Sequence, residues 1–133
     1  MRPEATVLFV CVHNAGRSQM AAAWMEHLSG GRVRVLSGGS RPAAQVNTVA
    51  VAAMAEVGLD LSARTPQAWT EAGFREADVV VTMGCGDACP SYPGKRYEDW
   101  EVADPAGRTL EEVRAVRDDI ERRVRGLLEE MGL

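Results

Sequence analysis

Short apolar runs that alternate with amphipathic segments constrain the fold of this chain more than any other feature. Residues 6–11 (TVLFVC) and 78–83 (DVVVTM) are rich in β-branched side chains and lack polar alternation, which is typical of strands buried on both faces. Weaker patterns predict two further strands, at residues 32–36 and 96–102. Because helical segments separate the strands, we predict an α/β fold with a mainly parallel sheet and right-handed crossovers.

The helices are predicted from periodicity and capping signals. Met20, Trp24 and Leu28 recur on one face of the first helix, and Asn47 or Thr48 is positioned to cap the second.

Two later segments carry stronger N-terminal signals. Thr65 followed by Pro66 predicts a short helix that runs to about residue 72 and ends before a glycine. Thr109 with Glu112 three residues later has the spacing of a capping box and predicts the start of the last helix.

Length and charge limit the classes of function. A chain of 133 residues predicts a single domain, residues 1–133. A formal net charge of −4 argues against a broad basic surface for nucleic acid. Since no apolar run approaches the roughly 18 residues that span a bilayer, and the N-terminal run is too short for a signal peptide, we expect a cytoplasmic protein with no membrane contact.

The three cysteines predict thiol chemistry and no structural disulfide framework, since the count is odd and the expected compartment is reducing. No pair of them has the two-residue separation of structural zinc sites, so we predict no metal.

The loop between the first strand and the first helix is the strongest candidate site. Cys11 ends the strand, and five residues later Arg17 and Ser18 open the helix. Backbone N–H groups of such a loop form an anion cradle, to which Arg17 adds a planar fork of donors. The same donors favour the thiolate of Cys11, and Ser18 can donate a hydrogen bond to it. The predicted oxyanion-binding residues are Val12, His13, Asn14, Ala15, Gly16, Arg17 and Ser18.

These motifs resemble those of the low-molecular-weight phosphotyrosine phosphatase superfamily. The resemblance rests on residues 11–21 (CVHNAGRSQMA), residues 80–83 (VVTM) and the turn at residues 104–107 (DPAG). Within the superfamily, Cys85 and Cys89 make the chain similar to the arsenate reductases. The resemblance implies a flavodoxin-like three-layer fold with a central four-stranded parallel sheet of order 2-1-3-4.

The resemblance also implies a reaction: arsenate is reduced to arsenite. Cys11 would be the nucleophile, Asp104 the acid that protonates the leaving oxygen, and Cys85 and Cys89 the thiols that carry the oxidation outward to thioredoxin or a low-molecular-weight thiol. No tightly bound cofactor is implied. Ala22 stands about where some relatives carry a potassium-binding glutamate, so we predict no potassium site.

Two alternatives remain open at the level of sequence. A phosphotyrosine phosphatase would use the same Cys11, Arg17 and Asp104, and a thiol-based sensor would bind the oxyanion or As(III) without turnover. The relay order is also open, because only three residues separate Cys85 from Cys89, fewer than in the better-known thioredoxin-coupled relatives.

Overall fold

The structure is a computed structural model that describes residues 3–84 and 89–133. Within these residues, four parallel strands form one sheet in the order β2-β1-β3-β4. The strands are β1 (Ala5–Cys11), β2 (Val33–Gly39), β3 (Val79–Met83) and β4 (Arg96–Asp99), and the helices are α1 (Arg17–Ser29), α2 (Thr48–Ala55), α3 (Glu71–Glu76) and α4 (Leu110–Glu130). The predicted α/β class and strand order are confirmed.

The two faces of the sheet bury different side chains of β1. Val7, Phe9 and Cys11 pack on the face that carries α1, α2 and α4, whereas Leu8 and Val10 pack on the opposite face with Phe74 of α3 and its neighbours. This alternation places helices on both faces of the central strand, which explains the uninterrupted apolar run in the sequence.

The register brings three carboxyl ends together. Cys11, the last residue of β1, pairs with Gly39 of β2 on one side and with Met83 of β3 on the other. Since ligands of open parallel sheets bind beyond the carboxyl ends of the strands, the candidate loop lies at the edge where a site is expected.

Strand β2 is longer than predicted because it continues through two glycines. A Cβ atom on Gly38 would lie 2.6 Å from the Cα atom of Trp69, and one on Gly39 would lie 2.6 Å from the carbonyl oxygen of Val12. The glycines therefore extend the strand where other chain segments approach it too closely for a side chain.

The prediction of a helix from Thr65 to about residue 72 is wrong. That segment lies along β2 instead: Gly39 N donates to Gln67 O over 2.9 Å, and Gly39 forms an isolated parallel bridge with Ala68. The helix α3 begins later, where the Thr70 side chain accepts from Gly73 N, so the glycine expected to end a helix lies inside one. Sheet-like hydrogen bonds outweigh the local preference of a Thr-Pro pair for a helix start.

The other boundaries follow their capping signals. Asn47 caps α2 by accepting from Ala50 N, and Thr109 and Glu112 form the predicted capping box of α4. Strand β4 ends at Asp99, three residues earlier than predicted. No helix in the described part of the chain is long and apolar enough to cross a membrane.

Candidate active site

The thiol of Cys11 lies at the base of the loop that joins β1 to α1. It is a free thiol, 2% exposed, and its Sγ lies 2.9 Å from Ser18 Oγ at the start of α1. Because the loop is short, the hydrogen bond between Cys11 and Ser18 connects the end of β1 with the first turn of α1. The predicted contact between Ser18 and Cys11 is therefore present.

The loop turns through a left-handed residue at Asn14, whose φ is 50° and whose side chain is fully buried. Its Nδ2 donates to Ser18 Oγ over 2.6 Å, and its Oδ1 accepts from Gln67 N over 3.0 Å. Gln19 Nε2 donates to both the backbone O and Oδ1 of Asn14. Asparagine suits this position because it tolerates positive φ and supplies both donors and acceptors.

The segment after β2, residues 40–47, determines which way the backbone carbonyl groups of the loop point. The carbonyl oxygens of Cys11, Val12, His13 and Ala15 accept hydrogen bonds from the N–H groups of Ser40, Arg41, Ala43 and Asn47, respectively. The N–H groups of residues 13–18 donate to no acceptor among the described residues. With the carbonyls held on one side, these donors are left for an anion beside Cys11.

Arg17 and Asp104 face each other across the mouth of the loop. Arg17 Nη2 lies 3.7 Å from Asp104 Oδ2, and the two side chains are 12% and 47% exposed. Asp104 is oriented locally, because its Oδ1 accepts from Ala106 N over 3.0 Å and its backbone O accepts from Arg108 Nε over 2.6 Å. The exposed carboxyl thus stands at the entrance, with the guanidinium deeper inside.

Two glycines allow this close approach. A Cβ atom on Gly16 would lie 2.4 Å from Pro105 Cγ, and one on Gly84 would lie 2.6 Å from Arg17 Nη1. The absent side chains let the Asp104-Pro105 turn sit against the loop and let the Arg17 guanidinium pass under the end of β3.

A small cavity of about 30 Å³ is enclosed by these elements. It is lined by Cys11, His13, Ala15, Gly16, Arg17, Asn47, Asp104, Pro105 and Ala106. An open cleft of about 620 Å³ adjoins it on the other side of Arg17 and is lined in part by Thr82, Asp99 and Trp100. Because the described lining of the small cavity includes no Phe, Tyr or Trp side chain, the cavity fits a compact tetrahedral oxyanion better than an aryl ester.

The structure brings most of the predicted residues together. Cys11, Arg17, Asp104 and three further loop residues, His13, Ala15 and Gly16, meet at one cavity, with Ser18 and Asn14 behind the thiol. His13 is exposed at the rim, where its Nδ1 lies 3.1 Å from Arg41 O, and Val12 is half-buried.

The structure describes one of the two remaining cysteines. Cys85 lies outside the described residues. Cys89 is disulfide-bonded and packs against the apolar cluster that includes Val10 and Phe74.

Three residues of the site were missed at the level of sequence: Gln19, Asn47 and Gln67. The signal for Gln19 was its place directly after Ser18, on a helix face that is otherwise apolar. Gln67 and Asn47 are distant in sequence, and no local pattern connects them with the loop. In residues 3–84 and 89–133, no group of three or more His, Cys, Asp or Glu side chains is arranged to hold a metal ion.

Comparison with known proteins adds a family and several relatives. The family model of low molecular weight phosphotyrosine protein phosphatases matches residues 6–132. Arsenate reductase 2 of Staphylococcus epidermidis is 40% identical over 119 residues, covering 86% of this chain and 89% of that protein. A glutaredoxin arsenate reductase of Synechocystis is 37% identical over 125 residues and covers 92% of this chain and 95% of that protein.

A solved structure is also similar over nearly the whole chain. It is a thioredoxin-dependent arsenate reductase of Corynebacterium glutamicum, with a TM-score of 0.87 and 41% identity. The match covers 98% of this chain, which spans 63% of the length of the Corynebacterium chain.

Proposed function

The chain belongs to the low molecular weight phosphotyrosine protein phosphatase family, and we propose that it is an arsenate reductase. The observation that carries the proposal is the free Cys11 thiol. It is hydrogen-bonded to Ser18 and lies in a small cavity that it shares with Arg17 and Asp104. Relatives at 37–41% identity are named arsenate reductases, which supports this substrate over a phosphate ester.

The first step joins sulfur to arsenic. The thiolate of Cys11 attacks arsenate, an As–S bond forms, and one As–O bond breaks. Asp104 gives its proton to the departing oxygen, which leaves as water. Arg17 and the N–H groups of residues 13–18 hold the remaining oxygens, whose negative charge they stabilise in the transition state.

The second step transfers two electrons to arsenic. A second thiol, from Cys85 or Cys89, attacks the sulfur of Cys11. An S–S bond forms, the As–S bond breaks, and its electron pair stays on arsenic, which leaves as arsenite. Two features support this relay: Cys85 follows Met83, the register partner of Cys11, by two residues in sequence, and Cys89 forms a disulfide bond.

An external reductant must then restore the thiols. Thioredoxin is the expected donor, and a glutaredoxin or low-molecular-weight thiol is the alternative, in keeping with the names of the relatives. A relay of this kind needs a reducing compartment, so we place the reaction in the cytoplasm.

One assay distinguishes this proposal from its two rivals. The reduced protein is incubated with arsenate, thioredoxin, thioredoxin reductase and NADPH, and separately with p-nitrophenyl phosphate. We expect arsenate-dependent NADPH oxidation that is lost in Cys11→Ser and in Cys85→Ser. A phosphatase is indicated by sustained ester hydrolysis without arsenate reduction, if Cys85→Ser and Cys89→Ser leave that hydrolysis unchanged. A sensor is indicated by oxyanion binding without any turnover.

A further inference from the structure

Gln19 is a buried polar residue next to the loop from Cys11 to Ser18, and both hydrogen bonds of its side chain go to Asn14. It is 2% exposed, and Nε2 donates to Asn14 O over 3.1 Å and to Asn14 Oδ1 over 3.0 Å. Its Oε1 is buried and meets no donor in the described part of the chain. Leaving a buried acceptor unpaired is costly. The amide keeps this orientation because its Nε2 donates to two oxygens of Asn14.

Gln19 and Gln67 together fix the orientation of the Asn14 amide. Gln67 contributes its backbone N–H, which can only donate, so the Asn14 atom 3.0 Å away is the oxygen Oδ1. The Gln19 amide donates to the same oxygen. A rotated Asn14 amide would place its NH₂ group against two donors, and Nδ2 therefore faces Ser18.

The Asn14 amide in turn sets the direction of the last hydrogen bond. Ser18 Oγ accepts from Asn14 Nδ2 over 2.6 Å, which leaves its own proton for Cys11 Sγ at 2.9 Å. A hydroxyl that donates to sulfur favours the thiolate over the thiol.

We infer that Gln19 is a positioning residue that orients the Asn14–Ser18–Cys11 hydrogen-bond chain and so favours the thiolate of Cys11. It acts through Asn14 and does not touch the substrate. The inference deepens the proposed function and rests on it, since Cys11 is the nucleophile of that proposal.

The test is the pH dependence of alkylation at Cys11. Gln19→Met and Gln67→Met carry the same substitution, but Gln67 uses its side chain to donate to Ser37 O and only its backbone to hold Asn14. Each protein is treated with iodoacetamide at pH 6 and at pH 9, and modification of the Cys11 peptide is followed by mass spectrometry. We expect the pH 6 to pH 9 rate ratio to fall about threefold to tenfold in Gln19→Met, which corresponds to the loss of the hydrogen bond to Asn14 Oδ1, and to stay at the wild-type value in Gln67→Met.

Two results overturn the inference: a wild-type ratio in Gln19→Met, or a rate lowered by the same factor at both pH values, which indicates a structural role alone. If Gln19→Met does not fold, NMR of the wild-type protein decides. The side-chain ¹⁵N resonance of Gln19 should shift when Cys11 is alkylated, and a resonance that alkylation leaves unchanged contradicts the inference. Alkylation needs neither arsenate nor reductant, so its outcome is separate from that of the reductase assay.

Discussion

At the scale of single residues, the site depends on side chains that are present and on side chains that are absent. Arg17 presents its guanidinium beside Asp104, while Gly16 and Gly84 leave the space that the Asp104-Pro105 turn and the guanidinium occupy. A cavity of about 30 Å³ leaves little room for adjustment. Substitutions here should therefore displace the groups that line the cavity.

Arg17→Lys should lower kcat/KM for arsenate about 100- to 1000-fold. A lysine keeps the charge but loses the planar fork that binds two oxygens at once, and the loss of one preorganised donor has this magnitude. The measurement is steady-state arsenate reduction coupled to NADPH oxidation. Arg125→Lys, in an exposed pair with Glu121 on α4, is the matched control. Equal activity of the two variants would contradict the assigned role of Arg17.

Gly16→Ala should lower kcat roughly 10- to 100-fold, because the new Cβ would lie 2.4 Å from Pro105 Cγ and displace the turn that carries Asp104. Pro105→Ala removes the colliding atom, so the double variant Gly16→Ala/Pro105→Ala should recover part of the loss in the same assay. Losses that simply multiply would show that the two residues do not interact.

At the scale of elements, α4 shows how capping and glycine content set the stability of a helix. The capping box lowers the pKa of Glu112, chiefly because the backbone N–H of Thr109 donates to its carboxylate. Buried residues including Val113, Ile120 and Val124 form one stripe against the core. Gly126 interrupts an otherwise favourable helix sequence without any close neighbour that requires a glycine.

Gly126→Ala should stabilise the protein by about 0.5–1 kcal/mol, since alanine loses less backbone entropy in a helix and its Cβ meets no atom within 4 Å. Gly132→Ala is the matched control: its Cβ is equally unobstructed, but its φ of +74° disfavours alanine. We expect opposite shifts of the urea midpoint in the two variants, with unchanged arsenate reduction. Stabilisation by both variants would mean that open space alone decides the effect.

At the scale of the whole molecule, one ion-pair cluster ties α2 to α4. Glu56, at the C-terminal end of α2, accepts three hydrogen bonds from Arg114, two from Nε and one from Nη2, and another from Arg117 Nη1 at 2.8 Å. Arg117 also donates to Ala53 O, which is a terminal carbonyl of α2. The cluster joins two helices of the same face of the sheet that are distant in sequence.

Glu56 should make the stability depend on pH in the acid range. Its pKa is lowered from 4.5 to about 2, mainly by the hydrogen bond from Arg114, with desolvation opposing and Arg117 assisting. The folded state therefore favours the carboxylate, and its contribution is present above pH 4.5 and is lost as the pH falls from 4.5 to about 2.

Glu56→Gln should accordingly be less stable than wild type at pH 7, and the difference should disappear near pH 2. Urea midpoints measured from pH 7 to pH 2 test this. Glu129→Gln, which changes an exposed carboxylate near the end of α4, should show a much smaller difference throughout. A wild-type advantage that persists unchanged at pH 2 would contradict the assignment.

Patterns read over a few residues determined much of the fold. The apolar runs at β1 and β3, the capping residues Asn47 and Thr109, and the loop from Cys11 to Ser18 are local features, because propensity, capping and periodicity act between near neighbours. The wrong helix at Thr65 shows the limit of such signals, since the competing hydrogen bonds come from Gly39, far away in sequence.

Only the tertiary structure decided how distant segments complete the site. It brought Asp104 within 3.7 Å of Arg17 and placed the backbone of Gln67 against Asn14. It also turned the loop carbonyls toward residues 40–47, while the N–H groups of residues 13–18 meet no acceptor among the described residues. The sequence by itself was enough to predict the candidate loop from Cys11 to Ser18, because its residues lie within eight consecutive positions. The orientation of its hydrogen bonds was decided by segments that only folding brings together.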